Sequence, residues 1–392
     1  MPSSILAILG GVGFASAVYT ASLLSVLRVP FIENHAVYMH RLHLIGRKNI
    51  RHPEQFGFAH RQVTPFWIKT RDGVKLHAWH VLPIGLYYRN VTRLADQRDP
   101  RPPEADFRDT LNFKLLREDP DARLVIHTHG SSGALAAYCR ADSYRSLSSL
   151  APNKIHVLAF DYRGFGLSTG TPTEEGLGID TQAVFDWANR IAGLPAERIV
   201  VFGQSMGSGV AIALVRDLAL QKIHVAGLII TGAFTDVQTM LSEYRSFFGF
   251  RPFGPLARFP GLMAMCSQGM QNKWLNRNGL VDVVSYSSSY HIQIFHAQDD
   301  PIVPWHLSND FFNHAAMAGS RQGMANDEFQ EEKAKRRKDM GEGGWCVEWH
   351  TSKGLIRQEV PKYGNHDKIM AQPQIAMAVM RAFQHQDPGF RE

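Results

Sequence analysis

Short apolar runs alternate with longer amphipathic stretches along most of this chain, and this pattern predicts strands separated by helices. The predicted buried strands cover 123–128, 155–160, 198–204, 225–231 and 291–296. The predicted helical runs lie near 140–150, 173–193 and 207–220. Two further strand-like runs flank Arg71-Asp72-Gly73, which is typical of a β-hairpin. We therefore expect an α/β fold with a mostly parallel central sheet flanked by helices.

The chain begins with an uncharged stretch that is long enough to cross a bilayer. Ser4 to Leu27 contains no charged residue, and about 24 helical residues would span roughly 36 Å. We expect residues 1–29 to form a single-pass transmembrane anchor. A cleaved signal peptide is the first alternative, although no basic region precedes the apolar run, and an interfacial or core helix is the second.

Residues 30–63 are rich in histidine, arginine and aromatic side chains. Such side chains suit the depth of lipid headgroups, so we expect a juxtamembrane segment that rests on the membrane surface. A metal site is the alternative. We expect no metal, because the segment contains no His-x-x-x-His pair with a carboxylate neighbour.

The sequence leaves open which side of the membrane would carry the rest of the chain. Basic residues follow the apolar segment, among them Arg28, Arg41 and Arg47, and they favour a cytoplasmic domain. Asn90-Val91-Thr92 is a sequon for N-glycosylation, which favours a lumenal domain. The expected location is the endoplasmic reticulum or another endomembrane.

The most informative motif lies within 200–209, where an apolar strand runs through Gly-x-Ser-x-Gly into a helix of small residues. This context is typical of a nucleophile elbow, a strained turn that pushes a serine hydroxyl out of the fold. Gly203 and Gly207 are required there because a Cβ atom would collide with the neighbouring strand and helix. We predict that Ser205 is a catalytic nucleophile; an idle serine in a glycine-rich turn is the alternative.

An acid and a histidine follow the serine in the order that such a nucleophile requires. The predicted strand 291–296 opens into a loop with two adjacent carboxylates, Asp299 and Asp300. His366 lies in a polar glycine loop ahead of a predicted helix over 369–383. His366 would take the serine proton, and an aspartate would orient its imidazole. We predict Asp300 as that aspartate and keep Asp299 as the alternative.

Acyl transfer also requires an oxyanion hole, which is built from two backbone N–H groups. One comes from the residue after the nucleophile, here Met206. The strand 123–128 ends in His129-Gly130-Ser131, where small residues allow the backbone to approach a substrate. We predict that the N–H groups of Met206 and Ser131 are the donors.

Together these motifs resemble the α/β-hydrolase superfamily over residues 64–392. The resemblance also rests on the run Asp161-Tyr-Arg-Gly-Phe-Gly-Leu-Ser168 and on His296-x-x-x-Asp300-x-x-Val303-Pro304. The Asp-Asp-Pro-x-Val-Pro loop and the apolar N-terminus resemble the membrane-anchored lipases of α/β-hydrolase-domain subfamily twelve. The resemblance implies cleavage of lysophospholipids or monoacylglycerols by a triad of Ser205, Asp300 and His366.

Two insertions interrupt the predicted hydrolase domain. Residues 235–285 occupy the position where the superfamily carries its cap, and their many apolar and aromatic side chains suit a cap core, a lid that lines an acyl-chain tunnel, or both. Residues 318–344 are strongly charged. A solvated helix is expected there, with contact to anionic lipid as the alternative.

Composition narrows the class of protein further. A net charge of +6 without a recognition motif does not indicate nucleic-acid binding, and we expect none. Three widely spaced cysteines give no disulfide framework or zinc spacing. The sequence thus predicts a cofactor-independent, membrane-anchored serine hydrolase of lipid acyl esters. A thioesterase, acyltransferase or peptidase on the same triad, a non-catalytic binding protein and a secreted esterase are the alternatives.

Overall fold

One sheet forms the centre of the protein, and most of its strands match the predicted runs. In a computed structural model, residues 29–97, 106–243, 258–321 and 324–390 are described, together with Val18, Ser22 and Gly254. The ten strands of this part of the chain are β1 Val63–Lys69, β2 Lys75–Val81, β3 Arg123–Thr128, β4 Ile155–Phe160, β5 Ile199–Gln204, β6 Gly227–Thr231, β7 Tyr290–Phe295, β8 Lys338–Gly341, β9 Gly344–His350 and β10 Gly354–Val360.

The order of the strands brings six parallel neighbours together in the middle of the sheet. The order is β1-β2-β4-β3-β5-β6-β7-β10-β9-β8. Every pair from β4 to β10 is parallel, whereas β1 and β2 at one edge and β9 and β8 at the other pair antiparallel with their neighbours. The carboxyl-terminal ends of the parallel strands therefore meet at one end of the sheet, which is where α/β sheets bind their ligands.

Helices cover both faces of this sheet. They are α1 Pro30–Tyr38, α2 Ile84–Asp96, α3 Leu111–Arg117, α4 Arg140–Leu150, α5 Glu174–Asp186, α6 Met206–Leu220, α7 Val237–Glu243, α8 Pro260–Gln268, α9 Asn276–Tyr286, α10 Leu307–Gly319, α11 Asn326–Arg336 and α12 Pro373–Gln386. Short helical turns lie at Pro53–Phe56, Phe107–Asp109, Trp187–Ile191, Ala196–Arg198 and Lys368–Ala371.

Alternate residues of each central strand enter two different cores. In β5, Ile199 and Val201 pack with apolar residues of α5, α6, α9 and α10, whereas Val200 and Phe202 pack with those of α4 and α12. This is the period-two alternation of a strand that is buried on both faces, and it explains why β5 is apolar throughout.

The strands at one edge were harder to predict than those in the middle. The sequence pattern indicates a strand-like run at His350, in β9, but neither β8 nor β10. All four residues of β8 are exposed, and β10 carries Arg357 and Glu359, whose side chains pair at 2.8 Å on a largely buried strand. Paired charges inside a strand remove the apolar run by which buried strands are recognised.

Parts of residues 30–63 pack into the folded domain, whereas most of residues 41–49 are exposed. The expectation that their aromatic side chains rest on headgroups is wrong for Tyr38, Phe56 and Phe58, which are all buried. Phe56 and Phe58 pack edge-to-face on Trp79, with ring centroids 5.6 and 5.9 Å away. An apolar partner inside the protein thus takes the place of the lipid.

The predicted transmembrane anchor, residues 1–29, lies outside the described residues apart from Val18, Ser22 and Val29. No helix within the described ranges is long and apolar enough to cross a membrane. The sequon at Asn90 lies inside α2, where the asparagine is buried and its Nδ2 donates to Leu86 O at 2.9 Å. An engaged, buried amide is a poor glycan acceptor, so this sequon does not argue for a lumenal domain.

Both predicted insertions contain helices. In 235–285 the structure describes α7 and α8, while α9, at the end of this range, packs on α6 beside the sheet. Residues 244–253 and 255–257 lie outside the described part. In 318–344, α11 is largely exposed, with Phe329 as its buried residue, so the predicted solvated helix is present.

Candidate active site

Ser205 lies on a strained turn between β5 and α6. Its backbone has φ 54° and ψ −122°, a region that residues with a side chain seldom adopt. The Ser205 N–H donates to Thr231 O at 2.8 Å, and the N–H of Ser208 donates back to Ser205 O at 2.9 Å. These bonds hold the backbone of the turn on both sides of the serine.

Two glycines make this turn possible, for the reason predicted from the sequence. A Cβ atom on Gly203 would lie 2.5 Å from Gly207 O. A Cβ atom on Gly207 would lie 2.1 Å from Thr128 O, at the end of the neighbouring strand β3. Both distances are far shorter than a carbon–oxygen contact allows, so neither position accepts a side chain without movement of the backbone.

Asp300 and His366 meet at the carboxyl-terminal end of the parallel strands, where Ser205 also lies. Asp300 follows β7, and His366 lies in the loop after β10. The Asp300 Oδ2 atom lies 2.7 Å from His366 Nδ1, and both side chains are buried. Asp300 Oδ1 accepts the N–H groups of Ile302 and Val303 at 2.8 and 2.9 Å. The carboxylate is therefore fixed by its own loop while it faces the histidine.

Charge and burial act in opposite directions on this pair. Burial raises the pKa of Asp300, but the charge of His366 and the hydrogen bonds from His296 and His366 outweigh it, so that the pKa of Asp300 lies well below its usual range. Burial lowers the pKa of His366, but the charge and the hydrogen bond of Asp300 outweigh it, and the pKa of His366 is raised above 6.5. The pair favours an ionised carboxylate beside a basic imidazole.

Asp299, the alternative acid, has a different partner. Its Oδ1 accepts the backbone N–H of Asn365 at 2.7 Å, next to the histidine in sequence. Asn365 has a positive φ of 54°, so this bond holds a strained residue of the histidine loop. Asp299 is thus placed to shape the loop, and Asp300 to contact the imidazole.

Residues 231–232 lie between Ser205 and His366. Thr231 O accepts the Ser205 N–H, and a Cβ atom on Gly232 would lie 3.2 Å from the His366 ring. On another side, Gln204 Nε2 donates to His366 O at 3.3 Å. In the described part of the chain, no hydrogen bond joins the Ser205 hydroxyl to His366. Catalytic hydrogen bonds are often long in unliganded enzymes and tighten around the substrate.

The two predicted oxyanion donors lie beside the serine. Met206 is the first residue of α6, and a Cβ atom on Gly130 would lie 3.2 Å from Ser205 Cβ, so the loop that carries Ser131 packs against the elbow. Within the described residues, neither the Met206 N–H nor the Ser131 N–H donates to another protein group. Both N–H groups therefore have free capacity for a ligand.

The loop after β3 is held by Arg140, a residue that the sequence analysis missed. Its guanidinium is buried and donates to the carbonyl oxygens of residues 130, 131, 132 and 134 at 2.6 to 3.0 Å. Four carbonyl groups thus face inward onto one cation. Nothing in the sequence distinguishes Arg140 from a surface arginine at the start of a helix.

The run that begins at Asp161 supports the same loop from the other side. Asp161 Oδ1 accepts the N–H of Leu135 at 2.6 Å, and Tyr162 OH donates to His129 O at 2.9 Å. All of these groups are buried. Residues that carry the family resemblance therefore act here as supports for the predicted oxyanion loop.

A second histidine contacts the predicted acid. His296 Nε2 lies 3.1 Å from Asp300 Oδ2 and 3.0 Å from Val303 O. His296 and His366 thus contact the same carboxylate oxygen, Asp300 Oδ2, and His296 helps to fix its position. The sequence motif contains His296, but its spacing alone does not predict this contact.

Comparison with known proteins establishes the family. The family model that matches this chain is described as the alpha/beta hydrolase fold and covers residues 124–278. Lysophosphatidylserine lipase ABHD12 of Gallus gallus is 30% identical over 311 residues, which span 77% of this chain and 71% of that protein. The chain belongs to the ABHD12 family. The protein of the same name from Rattus norvegicus is 28% identical over 310 residues, 77% of this chain and 68% of the relative.

Solved structures share the fold of this ABHD12-family chain. An α/β hydrolase from Vibrio vulnificus has a TM-score of 0.52 at 15% identity and covers 90% of this chain and 92% of its own. The esterase Pf2001 of Pyrococcus furiosus has a TM-score of 0.50 at 14% identity, with 88% of this chain and 98% of its own. At such identities the likeness concerns the fold alone. As a member of the ABHD12 family, the protein is a hydrolase that acts on esters.

Proposed function

We propose that this protein cleaves lipid acyl esters with a triad of Ser205, His366 and Asp300. The observation that carries the proposal is the 2.7 Å contact between Asp300 Oδ2 and His366 Nδ1. This contact lies at the carboxyl-terminal end of the parallel strands, where the strained Ser205 also lies. A buried carboxylate on Nδ1 fixes the tautomer that leaves Nε2 free to accept a proton.

In the first half of the reaction, Ser205 Oγ attacks the ester carbonyl carbon while His366 Nε2 takes the serine proton. The carbonyl oxygen becomes an oxyanion, which the N–H groups of Met206 and Ser131 would bind. Collapse of this intermediate breaks the bond to the leaving alcohol, which receives the proton from His366. An acyl-enzyme on Ser205 remains.

In the second half, a water molecule takes the place of the alcohol. His366 removes a proton from this water, the resulting hydroxide attacks the acyl carbon, and the second oxyanion forms in the same position. Collapse returns the proton to Ser205 and releases the fatty acid. The ionised Asp300 stabilises the imidazolium that forms in each half.

Lysophospholipids or monoacylglycerols are the proposed substrates. The ABHD12 relatives are named lysophosphatidylserine lipases, and the predicted oxyanion loop has exposed apolar neighbours that suit an acyl chain. Tyr138 is 50% exposed and contacts Ser132, while Leu44 is 38% exposed and lies 3.3 Å from the position of a Cβ atom on Gly133. Apolar side chains at a site entrance favour a ligand with a hydrocarbon tail.

We further propose that residues 1–29 anchor the protein in an endomembrane. The support is their uncharged sequence, which is long enough to span a bilayer. The full-length protein and a variant without residues 1–29 should differ in alkaline carbonate extraction, the full-length protein staying with the membrane pellet. Release of the full-length protein into the supernatant would contradict the anchor and leave the proposed chemistry untouched.

The chemistry is tested by labelling with a fluorophosphonate probe and by release of fatty acid from lysophosphatidylserine and monoacylglycerol. Ser205→Ala should abolish both signals, and His366→Ala should reduce both by a factor of about 10³ or more. Asp300→Ala should lose most activity, whereas Asp299→Ala, a matched change in the adjacent residue, should lose much less. Labelling that survives Ser205→Ala in folded protein would overturn the proposal.

A further inference from the structure

Tyr38 forms hydrogen bonds with two distant parts of the chain, one through its hydroxyl group and one through its backbone carbonyl. Its side chain is fully buried, and its hydroxyl donates to Asn272 Oδ1 at 2.7 Å. Its backbone carbonyl accepts the N–H of Ser132 at 2.9 Å. Tyr38 ends α1, the first helix after the predicted anchor, so this helix reaches the loop that carries the predicted oxyanion donor Ser131.

Asn272 is held in a network that uses both polar atoms of its side chain and its backbone N–H. Its backbone N–H and its Nδ2 donate to Glu33 Oε1 at 2.7 and 2.8 Å, and Nδ2 also donates to Asn34 Oδ1. Its Oδ1 accepts the N–H of Glu174 at 2.9 Å in addition to the Tyr38 hydroxyl. A fully satisfied buried network fixes its members in one arrangement.

Glu33 contributes a carboxylate group to this network. Its side chain is buried, and its three hydrogen-bond donors in the network come from Gln271 and Asn272. Its partners there are N–H groups, so the carboxylate is stabilised by directed dipoles. Such bonds depend strongly on geometry, and α1 is therefore held in a defined position against residues 271–272.

The peptide group between Ser131 and Ser132 is held from both sides. The Ser131 carbonyl accepts from Arg140 Nη2 at 3.0 Å, and the Ser132 N–H donates to Tyr38 O at 2.9 Å. Ser132 and Gly133 both have positive φ angles, 62° and 63°, so the loop leaves the common backbone conformations directly after the predicted donor. Rotation of this peptide group would shift the adjoining backbone that carries the Ser131 N–H, so the two contacts help to fix that N–H beside the oxyanion.

We propose that Tyr38 is a positioning residue for the oxyanion loop and that Glu33 and Asn272 set its position. The inference rests on the proposed function, because it needs an oxyanion beside Ser131. The segment after the predicted anchor would then be part of the catalytic apparatus in addition to connecting the domain to a membrane.

Tyr38→Phe tests this role with little disturbance. The variant keeps the ring and the backbone carbonyl and removes the hydroxyl, and Asn272 Oδ1 still accepts from Glu174. Tyr290→Phe is the matched control, because Tyr290 is also buried and also loses one hydroxyl bond, to Thr351 Oγ1 at 2.7 Å. Tyr290 begins β7, at the end of the sheet opposite the site.

We expect Tyr38→Phe to lower kcat by about 3–10-fold with KM within about twofold, since the loss concerns the transition state. The affinity for a trifluoromethyl ketone analogue of the substrate should fall by the same factor, and binding of a non-hydrolysable ether analogue should not change. Tyr290→Phe should leave all three quantities at the wild-type value. Thermal unfolding of both variants reports any general loss of stability.

A second pair of variants covers the case in which Tyr38→Phe does not fold. Glu33→Gln keeps an acceptor oxygen for the N–H groups, whereas Glu33→Ala removes it, so kcat should fall less in the first than in the second. Equal kcat and equal ketone affinity for Tyr38→Phe and Tyr290→Phe, or equal kcat for the two Glu33 variants, would overturn the inference. Hydrolysis that survives Ser205→Ala would instead overturn the proposed function.

Discussion

The nucleophile elbow and the oxyanion loop lie side by side at the carboxyl-terminal end of the central strands, yet the protein holds them in different ways. The elbow at Ser205 is shaped by two glycines within two residues of the serine. The loop at 129–135 is held by Arg140, Asp161 and Tyr38, which come from three different segments of the chain. The elbow is encoded locally in the sequence, whereas the loop depends on contacts with distant segments.

This difference implies that the two regions should fail in different ways. The elbow has no alternative geometry, because its glycine positions are surrounded by backbone atoms that cannot move independently. The loop is held by separate hydrogen bonds from several segments, and loss of one contact leaves the others in place. Damage to the elbow should therefore abolish folding or activity, and damage to the loop should lower activity by degrees.

The largest effect is expected from Gly207→Ala. The added Cβ atom would lie 2.1 Å from Thr128 O, so β3 and α6 would have to separate. We expect activity below detection. Overpacking typically costs about 1–3 kcal/mol, and we expect the free energy of unfolding, measured by urea denaturation, to fall by about 3 kcal/mol or more.

Gly178→Ala is the control for that change. Gly178 lies in α5, and a Cβ atom there has no neighbour within 4 Å. Alanine is favoured over glycine inside a helix by about 1 kcal/mol, so this variant should be active and at least as stable as the wild type. A Gly207→Ala protein with more than half of the wild-type activity would remove the distinction between the two regions.

Arg140→Met should have the next largest effect. It removes one cation from four carbonyl oxygens and leaves them buried without that donor. We expect kcat to fall by about 10²-fold, comparable to the loss of one oxyanion donor, with KM changed less. Arg216→Met, which removes a half-exposed pair with Asp217, should leave steady-state kinetics unchanged. A kcat near the wild-type value for Arg140→Met would mean that the loop holds itself.

The same contrast explains how much could be predicted from the sequence. The central strands, Ser205 and the need for Gly203 and Gly207 follow from local patterns, because an apolar strand and a tight turn are each encoded within about ten residues. Asp300 is predicted as the acid with Asp299 kept as the alternative, because adjacent carboxylates in one loop differ only in the direction of their side chains.

Contacts between distant segments were beyond the sequence. Tyr38 lies 234 residues from Asn272 along the chain, and neither residue belongs to a motif. The aromatic residues of 30–63 suit a membrane surface by composition, but Phe56 and Phe58 pack on Trp79 in the fold. Strand β10 carries a pair of charged residues, Arg357 and Glu359, although it is largely buried. Each difference arises because tertiary packing supplies the partner that the local pattern lacks.

Tyr162→Phe should give a smaller loss and shows how gradual the response of the loop is. The change removes the hydrogen bond from Tyr162 OH to His129 O and leaves the ring in its buried position. One neutral hydrogen bond contributes about 0.5–1.5 kcal/mol, so kcat should fall between about twofold and tenfold. Steady-state kinetics measures this, with Tyr290→Phe as control. A loss as large as that of Arg140→Met would indicate that the loop fails all at once.

The smallest effect is expected in the pH dependence, and there the two regions should behave alike. His366 accepts the Ser205 proton only when it is neutral, and its pKa is raised above 6.5, so kcat/KM should rise with pH and reach half of its plateau above pH 6.5. The charges that raise this pKa belong to Asp300 and Asp367, not to the elbow or the loop. Arg140→Met and Tyr162→Phe should therefore lower the plateau and leave the midpoint in place. Asp300→Asn removes the main opposing charge while burial remains, so its residual activity should have a midpoint at lower pH. A midpoint that moves in the loop variants would show that the loop also controls the histidine.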